Sequence, residues 1–276
     1  MRANNQSMDN FFQHKARKRF GQNFLVDENI IERIVRAIGP RETDKLVEIG
    51  PGQGAITALL LGRCPSLTAV ELDRDLIPML EFKFREYPEF TIIEKDALKF
   101  DFGTLVDEGQ QLRIVGNLPY NISTPLLFHL LSFRGKVQDM HFMLQKEVVD
   151  RLSAVPGEKA FGRLSVMVQY FCRVQGLFPV PPQSFRPAPK VESAIVRLVP
   201  HQELPHPAKD EKLLERIVAV AFQQRRKTLR NALKPLFPDL DPAQLPVDAS
   251  QRPEALGVKD YVALADYCST LNAPSP

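Results

Sequence analysis

The chain has 276 residues, of which 44% are hydrophobic, and its formal net charge is +3. This length and apolar content predict a large domain with a sizeable core and a smaller second domain. The low net charge excludes a uniformly basic nucleic-acid-binding protein, because any such binding would have to depend on local clusters of Lys and Arg.

Neither membrane anchoring nor metal binding is indicated by the composition. No apolar run approaches the roughly 20 residues that span a bilayer, and the polar start of the chain is unlike a signal peptide. The cysteines Cys64, Cys172 and Cys268 are scattered and odd in number, which is typical of reduced thiols in a cytosolic protein. The histidines show no metal-ligand spacing. We therefore expect a cytoplasmic protein without membrane contact or metal.

Strands alternate with helical patterns along the first part of the chain. A helix is predicted before the first strand, from the helical spacing of Ile30, Ile31, Ile34, Val35 and Ile38. Strands are predicted at 45–50, 67–72, 91–95, 112–117 and 138–144, with helices between them. Two further strands, 174–180 and 193–199, flank a Pro-rich loop at 181–189. These strands indicate an α/β fold with a doubly wound sheet.

The end of the chain is organised differently. The stretch 200–210 has no periodicity and predicts a linker, whereas 211–236 and 253–271 have helical patterns. We therefore predict a first domain at 1–200 that begins with a basic flexible arm at 1–20, a linker at 201–210 and a small helical domain at 211–276.

A glycine-rich turn follows the first strand of the predicted sheet. The motif EIGPGQG at 48–54 leads into a helix, as in nucleotide-binding βαβ units, where glycines let the backbone approach a ligand closely. Glu71 ends the next strand about 20 residues further on, where such folds bind ribose hydroxyls. Asp96 ends the third strand and is positioned to accept an adenine amino group. The turn by itself is compatible with S-adenosylmethionine and with a nicotinamide dinucleotide.

A second motif, NLPY at 117–120, ends an apolar strand with an amide, a proline and an aromatic ring. Asn117 offers a side-chain carbonyl, Leu118 a backbone carbonyl and Tyr120 a stacking face. Pro119 stiffens the turn because its φ angle is fixed. This grouping fits a planar nucleobase amine held for alkylation. The alternative is an ordinary exit from a strand into a loop.

Four motifs together resemble the ribosomal RNA adenine N6-dimethyltransferase family: KRFGQNFL at 18–25, EIGPGQG at 48–54, NLPY at 117–120 and FRPAPKV at 185–191. The resemblance extends from about Arg17 to Leu264 and is greatest to the branch that acts on small-subunit 16S rRNA. It implies a seven-stranded Rossmann-like class I methyltransferase sheet, with the last strand inserted antiparallel. It also implies that the small C-terminal helical domain binds RNA.

The activity implied by the resemblance is S-adenosyl-L-methionine-dependent dimethylation of N6 on two adjacent adenosines near the 3′ end of 16S rRNA. The implied partner is a small ribosomal subunit precursor, and the implied state is a monomer. Cofactor binding is expected at Gln22, Asn23, Leu25, Gly50, Gly52, Gly54, Glu71, Leu72, Asp96, Ala97 and Asn117.

The catalytic residues expected from the resemblance are Asn117, Leu118, Pro119, Tyr120 and Phe185. Asn117 and the Leu118 carbonyl would orient the amine, and Phe185 would stack on the base opposite Tyr120. Without the resemblance, a Phe shortly before two prolines is more typical of a core position.

Two basic clusters are candidate RNA contacts. The first is in the N-terminal arm and consists of Lys15, Arg17, Lys18 and Arg19. The second has no acid between its members and consists of Arg225, Arg226, Lys227, Arg230 and Lys234. On a continuous helix, Arg226, Arg230 and Lys234 would form one stripe, and a phosphate backbone would relieve their mutual repulsion. The alternative is a solvated helix face.

Four other functions are compatible with part of the pattern. A DNA adenine methyltransferase has a related motif, but one that usually begins with Asp or contains two prolines. A large-subunit rRNA adenine N6-methyltransferase of the antibiotic-resistance branch shares nearly all the motifs, although the low net charge and NISTP at 121–125 favour the small-subunit branch. A non-catalytic ribosome assembly factor would not need the ligand positions. A dehydrogenase would leave Asn117 and Tyr120 unexplained.

Overall fold

Strands and helices alternate along the chain, as in folds that build a parallel sheet with crossover helices. The computed structural model describes residues 23–271. The strands are β1 Phe24–Leu25, β2 Lys45–Ile49, β3 Thr68–Glu71, β4 Thr91–Glu94, β5 Leu112–Asn117, β6 Val137–Gln145, β7 Cys172–Val180, β8 Phe185–Arg186 and β9 Ser193–Pro200. The helices are α1 Glu28–Ile38, α2 Ala55–Leu61, α3 Ile77–Lys83, α4 Ser123–Leu131, α5 Lys146–Ser153, α6 Arg163–Phe171, α7 Glu211–Gln223, α8 Leu229–Leu233 and α9 Val258–Leu271.

The main sheet of the described residues has seven strands in the order β4–β3–β2–β5–β6–β9–β7. The five strands from β4 to β6 pair in parallel, whereas β9 pairs antiparallel with β6. This arrangement confirms the seven predicted strands and the antiparallel insertion of the last one. A separate two-stranded antiparallel sheet of β1 and β8 was not predicted from the sequence.

Local sequence explains both ends of α1. Asp27 caps its start, since the Asp27 carboxylate accepts hydrogen bonds from the backbone N–H groups of Asn29 at 3.1 Å and Ile30 at 3.2 Å. Gly39 ends the helix in the left-handed conformation and donates its N–H to the Val35 carbonyl. The predicted apolar face is confirmed, and its buried members are Ile31, Ile34, Val35 and Ile38.

The described residues divide into two compact units. The first comprises 23–149 and 175–200, and the second comprises 150–174 and 201–271. The helical unit is therefore larger than the predicted domain at 211–276. It includes α6 because Val166, Met167 and Tyr170 pack in one apolar core with residues of α7 and α9. Residues 201–210 contain no helix or strand, and they belong to the second unit, where Leu204 and Ala208 pack against the core.

Each unit has its own apolar core. In the first unit, buried residues of α1, α2 and α3 pack with Leu46 of β2, Val115 of β5 and Ile195 of β9. In the second unit, the fully buried Tyr261 of α9 donates its hydroxyl to the Pro253 carbonyl at 2.8 Å. The cysteines Cys64, Cys172 and Cys268 are buried and form no disulfide. None of the helices within residues 23–271 combines the length and the apolar character needed to cross a bilayer.

The prediction of one continuous helix at 211–236 is wrong. α7 ends at Gln223 and α8 covers only Leu229–Leu233, with a turn at 224–228 between them. Tertiary contacts stabilise this break, because the Arg225 guanidinium donates to the carbonyls of Lys159 at 2.8 Å and Phe161 at 2.9 Å. The helix predicted at 253–271 is also shorter than expected, since 253–255 form a 3₁₀ turn before α9.

A buried charge cluster joins α1, β5 and β6. The Arg113 guanidinium donates to Asp44 at 2.7 Å, to both carboxylate oxygens of Asp139 at 2.9 and 3.0 Å, and to the carbonyl of Ile38 at 2.6 Å. His141 lies one pleat further along β6 and is 3% exposed. Burial lowers the pKa of His141 to about 4, with Asp139 opposing the shift and Arg113 adding to it.

This histidine makes the stability of the first unit depend on pH. The unfolded chain has an ordinary histidine pKa of about 6.5, so between about pH 6.5 and 4 the unfolded state binds a proton that the folded state does not. The stabilisation is complete above about pH 6.5 and is lost as the pH falls toward 4. From pH 7 to pH 5 the free energy of unfolding should decrease in both proteins. We expect the decrease to be smaller by roughly 1–2 kcal/mol in His141→Leu than in wild type.

Chemical denaturation of wild type and His141→Leu at both pH values measures this difference. All other titratable groups, including the buried Glu48, are common to the two proteins and cancel in the comparison. His129→Leu serves as a control, because His129 is only partly buried and its Nε2 donates to the Phe100 carbonyl at 2.8 Å. An identical pH dependence for wild type and His141→Leu would show that His141 is not the responsible group.

Candidate functional site

A cavity of about 350 Å³ lies at the carboxyl ends of the parallel strands, within the first unit. It brings together most of the residues predicted from the two main motifs. Those that line it are Asn23, Gly50, Gly52, Glu71, Leu72, Asp96, Ala97, Asn117, Leu118, Pro119 and Tyr120. This edge of a parallel sheet, at the point where the strand order reverses, is where open α/β folds bind their ligands.

The two motifs meet because β2 and β5 are neighbours. Ile49 pairs with Gly116 in the parallel register, so the glycine turn after β2 begins beside Asn117 at the end of β5. A side chain at position 116 would not fit, since its Cβ would lie 2.6 Å from the Ile49 carbonyl oxygen. The glycine that precedes NLPY therefore allows the two loops to reach the same cavity.

The glycine turn adopts left-handed backbone angles and is held by the end of α3. Gly50, Gly52 and Gly54 all have positive φ angles, of 65°, 59° and 77°. A Cβ at Gly54 would lie 2.6 Å from the ring of Phe84, so Gly54 packs against α3 and does not line the cavity. Lys83 donates to the Gln53 carbonyl at 2.8 Å.

Two carboxylates from neighbouring strand ends face the cavity. Glu71 is 7% exposed, and its Oε1 accepts from the backbone N–H groups of Leu72 and Asp73, each at 2.8 Å. Burial raises the pKa of Glu71, and these backbone hydrogen bonds oppose the rise. Asp96 accepts from the Leu98 N–H at 3.0 Å through Oδ1. Both carboxylates thus have fixed orientations at the strand ends where acids were predicted.

A third acid, Glu48, lies behind the glycine turn. It is 2% exposed, and the Thr57 hydroxyl of α2 donates to its Oε2 at 2.6 Å. Burial raises the pKa of Glu48 to about 7, the bond from Thr57 opposes this rise and the nearby Glu71 adds to it. Glu48 does not line the cavity, so it joins the end of β2 to α2 beneath the turn.

Hydrogen bonds at Asn117, Leu118 and Tyr120 fix the NLPY loop. Asn117 donates from Nδ2 to the Asn23 carbonyl at 3.3 Å. The Leu118 N–H donates to the Met143 carbonyl of β6 at 3.2 Å. The hydroxyl of Tyr120 lies 2.7 Å from the hydroxyl of Ser193 on β9. Since Nδ2 of Asn117 is engaged by Asn23, its carbonyl oxygen is the end that remains to accept from a ligand.

Phe185 and Leu25 lie in the core and do not line the cavity. They pair with each other across the β1–β8 sheet and are 1% and 6% exposed. The Phe185 ring is packed among buried apolar residues, so this structure does not present it to the cavity beside Tyr120, and its stacking role stays a prediction. Gln22 was also predicted to bind the cofactor, and it lies outside the described residues.

Several cavity residues were not predicted. Phe24 borders the glycine turn, with its ring 3.2 Å from where a Cβ of Gly52 would lie. Its position in the KRFGQNFL motif was the signal that could have identified it. The other unpredicted lining residues are Ile49, Val70, Asp73, Leu76, Lys95, Asn121 and Ile122. In the described part of the chain, no group of His, Cys, Asp and Glu is arranged to hold a metal ion.

The predicted basic stripe is instead a basic turn in the second unit. Residues 222–227 line a surface concavity of about 480 Å³. Arg226 and Lys227 are exposed in the turn, whereas Arg230 belongs to α8 and Lys234 follows it. The prediction that Arg226, Arg230 and Lys234 share one helix face is wrong, because the helix is interrupted before Thr228. The five cations remain close in sequence, and all are exposed.

Comparisons with known proteins agree with this geometry. The family described as ribosomal RNA adenine dimethylase matches residues 13–268. A protein of Marinobacter nauticus named ribosomal RNA small subunit methyltransferase A is 63% identical over 259 residues, and the match covers 94% of each chain. A protein of the same name from Pseudomonas aeruginosa is 59% identical, and the match covers 96% of this chain and 98% of that protein.

Solved structures show the same fold. The crystal structure of a dimethyladenosine transferase from Plasmodium falciparum superposes with a TM-score of 0.75 at 26% identity, covering 87% of this chain and 95% of that one. The crystal structure of the 23S rRNA methyltransferase ErmE superposes with a TM-score of 0.67 at 23% identity, covering 88% and 98%. The family match extends over nearly the whole chain, including both units and the motifs around the cavity. The chain belongs to the ribosomal RNA adenine dimethylase family.

Proposed function

We propose that this enzyme transfers methyl groups from S-adenosylmethionine to N6 of two adjacent adenosines near the 3′ end of 16S rRNA, during small-subunit assembly. The observation that carries the proposal is the single cavity in which the glycine turn, Glu71 and Asp96 meet the NLPY loop. The names of the relatives from Marinobacter and Pseudomonas support the small-subunit branch over the large-subunit branch. We further propose that it acts in the cytoplasm, as a monomer, on a small-subunit precursor.

The cavity fits a nucleoside-containing cofactor. Its volume of about 350 Å³ is in the range of small-molecule sites. Apolar walls from Ile49, Val70 and Leu76 accompany the two oriented carboxylates of Glu71 and Asp96. Glu71 would accept from the ribose hydroxyls and Asp96 from the adenine amino group. S-adenosylmethionine would supply an electrophilic methyl group on its sulfonium.

The NLPY loop would hold the target base. An exocyclic amine is a weak nucleophile because its lone pair is delocalised into the ring, so its hydrogens must be oriented. The Asn117 side-chain oxygen and the Leu118 carbonyl would accept these hydrogens, while the face of Tyr120 stacks on the base. Catalysis would then depend on positioning, without a general base. With Phe185 in the core, Tyr120 is the aromatic face that this proposal retains.

RNA binding is proposed for the second unit through its basic turn. Arg226 and Lys227 project from the turn at 224–228, while Arg225 supports it by binding two backbone carbonyls. Arg230 and Lys234 extend the positive surface beyond the turn. Phosphate contacts of this kind contribute affinity without reading the sequence.

The proposed substrate is tested by mass spectrometry of 16S and 23S rRNA from cells with and without this gene. We expect loss of two N6,N6-dimethyladenosines from 16S rRNA and an unchanged modification pattern in 23S rRNA. Loss of a 23S modification instead would assign the enzyme to the large-subunit branch. Unchanged methylation of both RNAs would favour a non-catalytic assembly factor.

Glu71→Ala should weaken S-adenosylmethionine binding by about 10- to 100-fold, because it removes a charged acceptor of ribose hydrogen bonds. Isothermal titration calorimetry measures the affinity. Glu94→Ala is the matched control, since Glu94 pairs with Glu71 in the register of β3 and β4 but lies outside the cavity. Equal affinity of wild type and Glu71→Ala would remove Glu71 from the cofactor site. No binding of a nicotinamide dinucleotide is expected.

Asn117→Ala should slow single-turnover methyl transfer by about 100- to 1,000-fold, because it removes an oriented acceptor that acts on the reacting amine. Binding of cofactor and of small-subunit particles should change little. Asn29→Ala is the control, since Asn29 is an exposed asparagine of α1. A near-normal rate for Asn117→Ala would exclude Asn117 from catalysis.

Replacing Arg226 and Lys227 with Gln should weaken binding to small-subunit particles and flatten its salt dependence. Each lost phosphate contact lowers the slope of log affinity against log salt by about 0.7–0.9. Lys212→Gln with Arg216→Gln on α7 removes the same charge from the same unit and should leave the slope unchanged, because these two cations lie outside the basic turn. If the turn variant keeps the wild-type slope, the turn is only a solvated surface.

A further inference from the structure

Tyr120 is tethered at both its hydroxyl and its backbone carbonyl. Its phenol oxygen lies 2.7 Å from the hydroxyl of Ser193. Its backbone carbonyl accepts from the hydroxyl of Ser123 at 3.3 Å. Ser123 is the first residue of α4, and Ser193 is the first residue of β9. Two serines from different elements therefore fix the ring and the chain of the same tyrosine.

Ser193 reaches Tyr120 because β9 is antiparallel to its neighbour. The parallel strands end at the cavity edge of the sheet, whereas β9 begins there. Ser193 accordingly pairs with Gln145, the last residue of β6. In an all-parallel sheet, the first residue of this strand would lie at the opposite edge.

The two partners of this hydrogen bond differ in burial. Ser193 is 0% exposed and does not line the cavity, whereas Tyr120 is partly exposed and does. A buried hydroxyl is costly to leave without a partner, so the two hydroxyls stabilise each other. The phenol oxygen is thereby held at the buried Ser193, while Tyr120 still lines the cavity.

We propose that Ser193 is a positioning residue for methyl transfer, which holds the Tyr120 ring in the plane where the target adenine stacks. The inference rests on the proposed function, because it requires Tyr120 to be the stacking face. If the ring is ordered before the base binds, less binding free energy is lost to immobilising the side chain. The ordered ring also keeps the amine aligned with the methyl group. Ser193 acts through Tyr120 and does not touch the base.

The test is a double-mutant cycle of Ser193→Ala and Tyr120→Phe, two changes that remove the same hydrogen bond from opposite ends. The measurement is the single-turnover rate on small-subunit particles at saturating S-adenosylmethionine. We expect each single variant to be slower by about three- to tenfold, the range expected for one neutral hydrogen bond. We expect the double variant to be no slower than the singles, because the bond can be lost only once. Cofactor affinity should stay at the wild-type value in all three.

Ser184→Ala is the matched control. Ser184 is another buried serine of the first unit, 2% exposed, but its hydroxyl donates to Asp27 at 3.1 Å. Its rate should equal that of wild type. A general effect of removing a buried serine hydroxyl would slow this variant as well, and that result would overturn the specific role of Ser193.

The inference and the proposed function fail in different ways. Tyr120→Ala, which removes the ring, tests the stacking role itself, and a near-normal rate for this variant would overturn the proposed role of Tyr120. If Tyr120→Ala is inactive while Tyr120→Phe and Ser193→Ala are both as fast as wild type, the proposed function stands and the role of Ser193 is overturned. Additive losses in the double variant would overturn it too. If Ser193→Ala fails to fold, the rate of Tyr120→Phe alone tests the role of the hydrogen bond. This variant removes only the hydroxyl of Tyr120, which is partly exposed.

Discussion

The close parallel pairing of β2 and β5 is the contact on which the rest of the site depends. Ile49 and Gly116 lie side by side, and any side chain at position 116 would collide with the Ile49 carbonyl. Because each strand continues directly into a loop, this pairing sets the glycine turn against the NLPY loop. The two loops that the proposed function assigns to the cofactor and to the base therefore line one cavity.

The site is organised for positioning, and its acids are suited to recognition. Glu71 is held by two backbone N–H groups, and Glu48 is held by Thr57 beneath the turn. Burial raises the pKa of both, but neither is placed at the NLPY loop where the chemistry would occur. The NLPY loop instead offers an amide, a carbonyl and an aromatic ring at the cavity, and the proposed function uses these groups to hold the reacting amine. The tethers to Asn23, Met143 and Ser193 fix these groups from three separate strands or loops.

Charge is clustered locally in a way that the net value of +3 conceals. In the first unit, Arg113 is enclosed by Asp44 and Asp139 and serves the core. In the second, the turn at 224–228 presents exposed cations without intervening acids. A low net charge is thus compatible with a strongly basic local surface, which is what phosphate binding requires.

The sequence by itself determined the seven strands of the main sheet, the apolar face of α1, the two motifs and the acids at the strand ends. These features depend on local periodicity and on residues that are close along the chain, such as Asn117 to Tyr120. The sequence was insufficient for the helix at 211–236, where Arg225 binds carbonyls more than 60 residues away and stabilises a turn. The family resemblance implied a stacking role for Phe185, whereas its residue type and flanking prolines were more typical of the core, where it pairs with Leu25. Only the tertiary structure decided these positions, and the contact between Tyr120 and Ser193, because each depends on strands and loops that are distant in sequence and meet only after the sheet has formed.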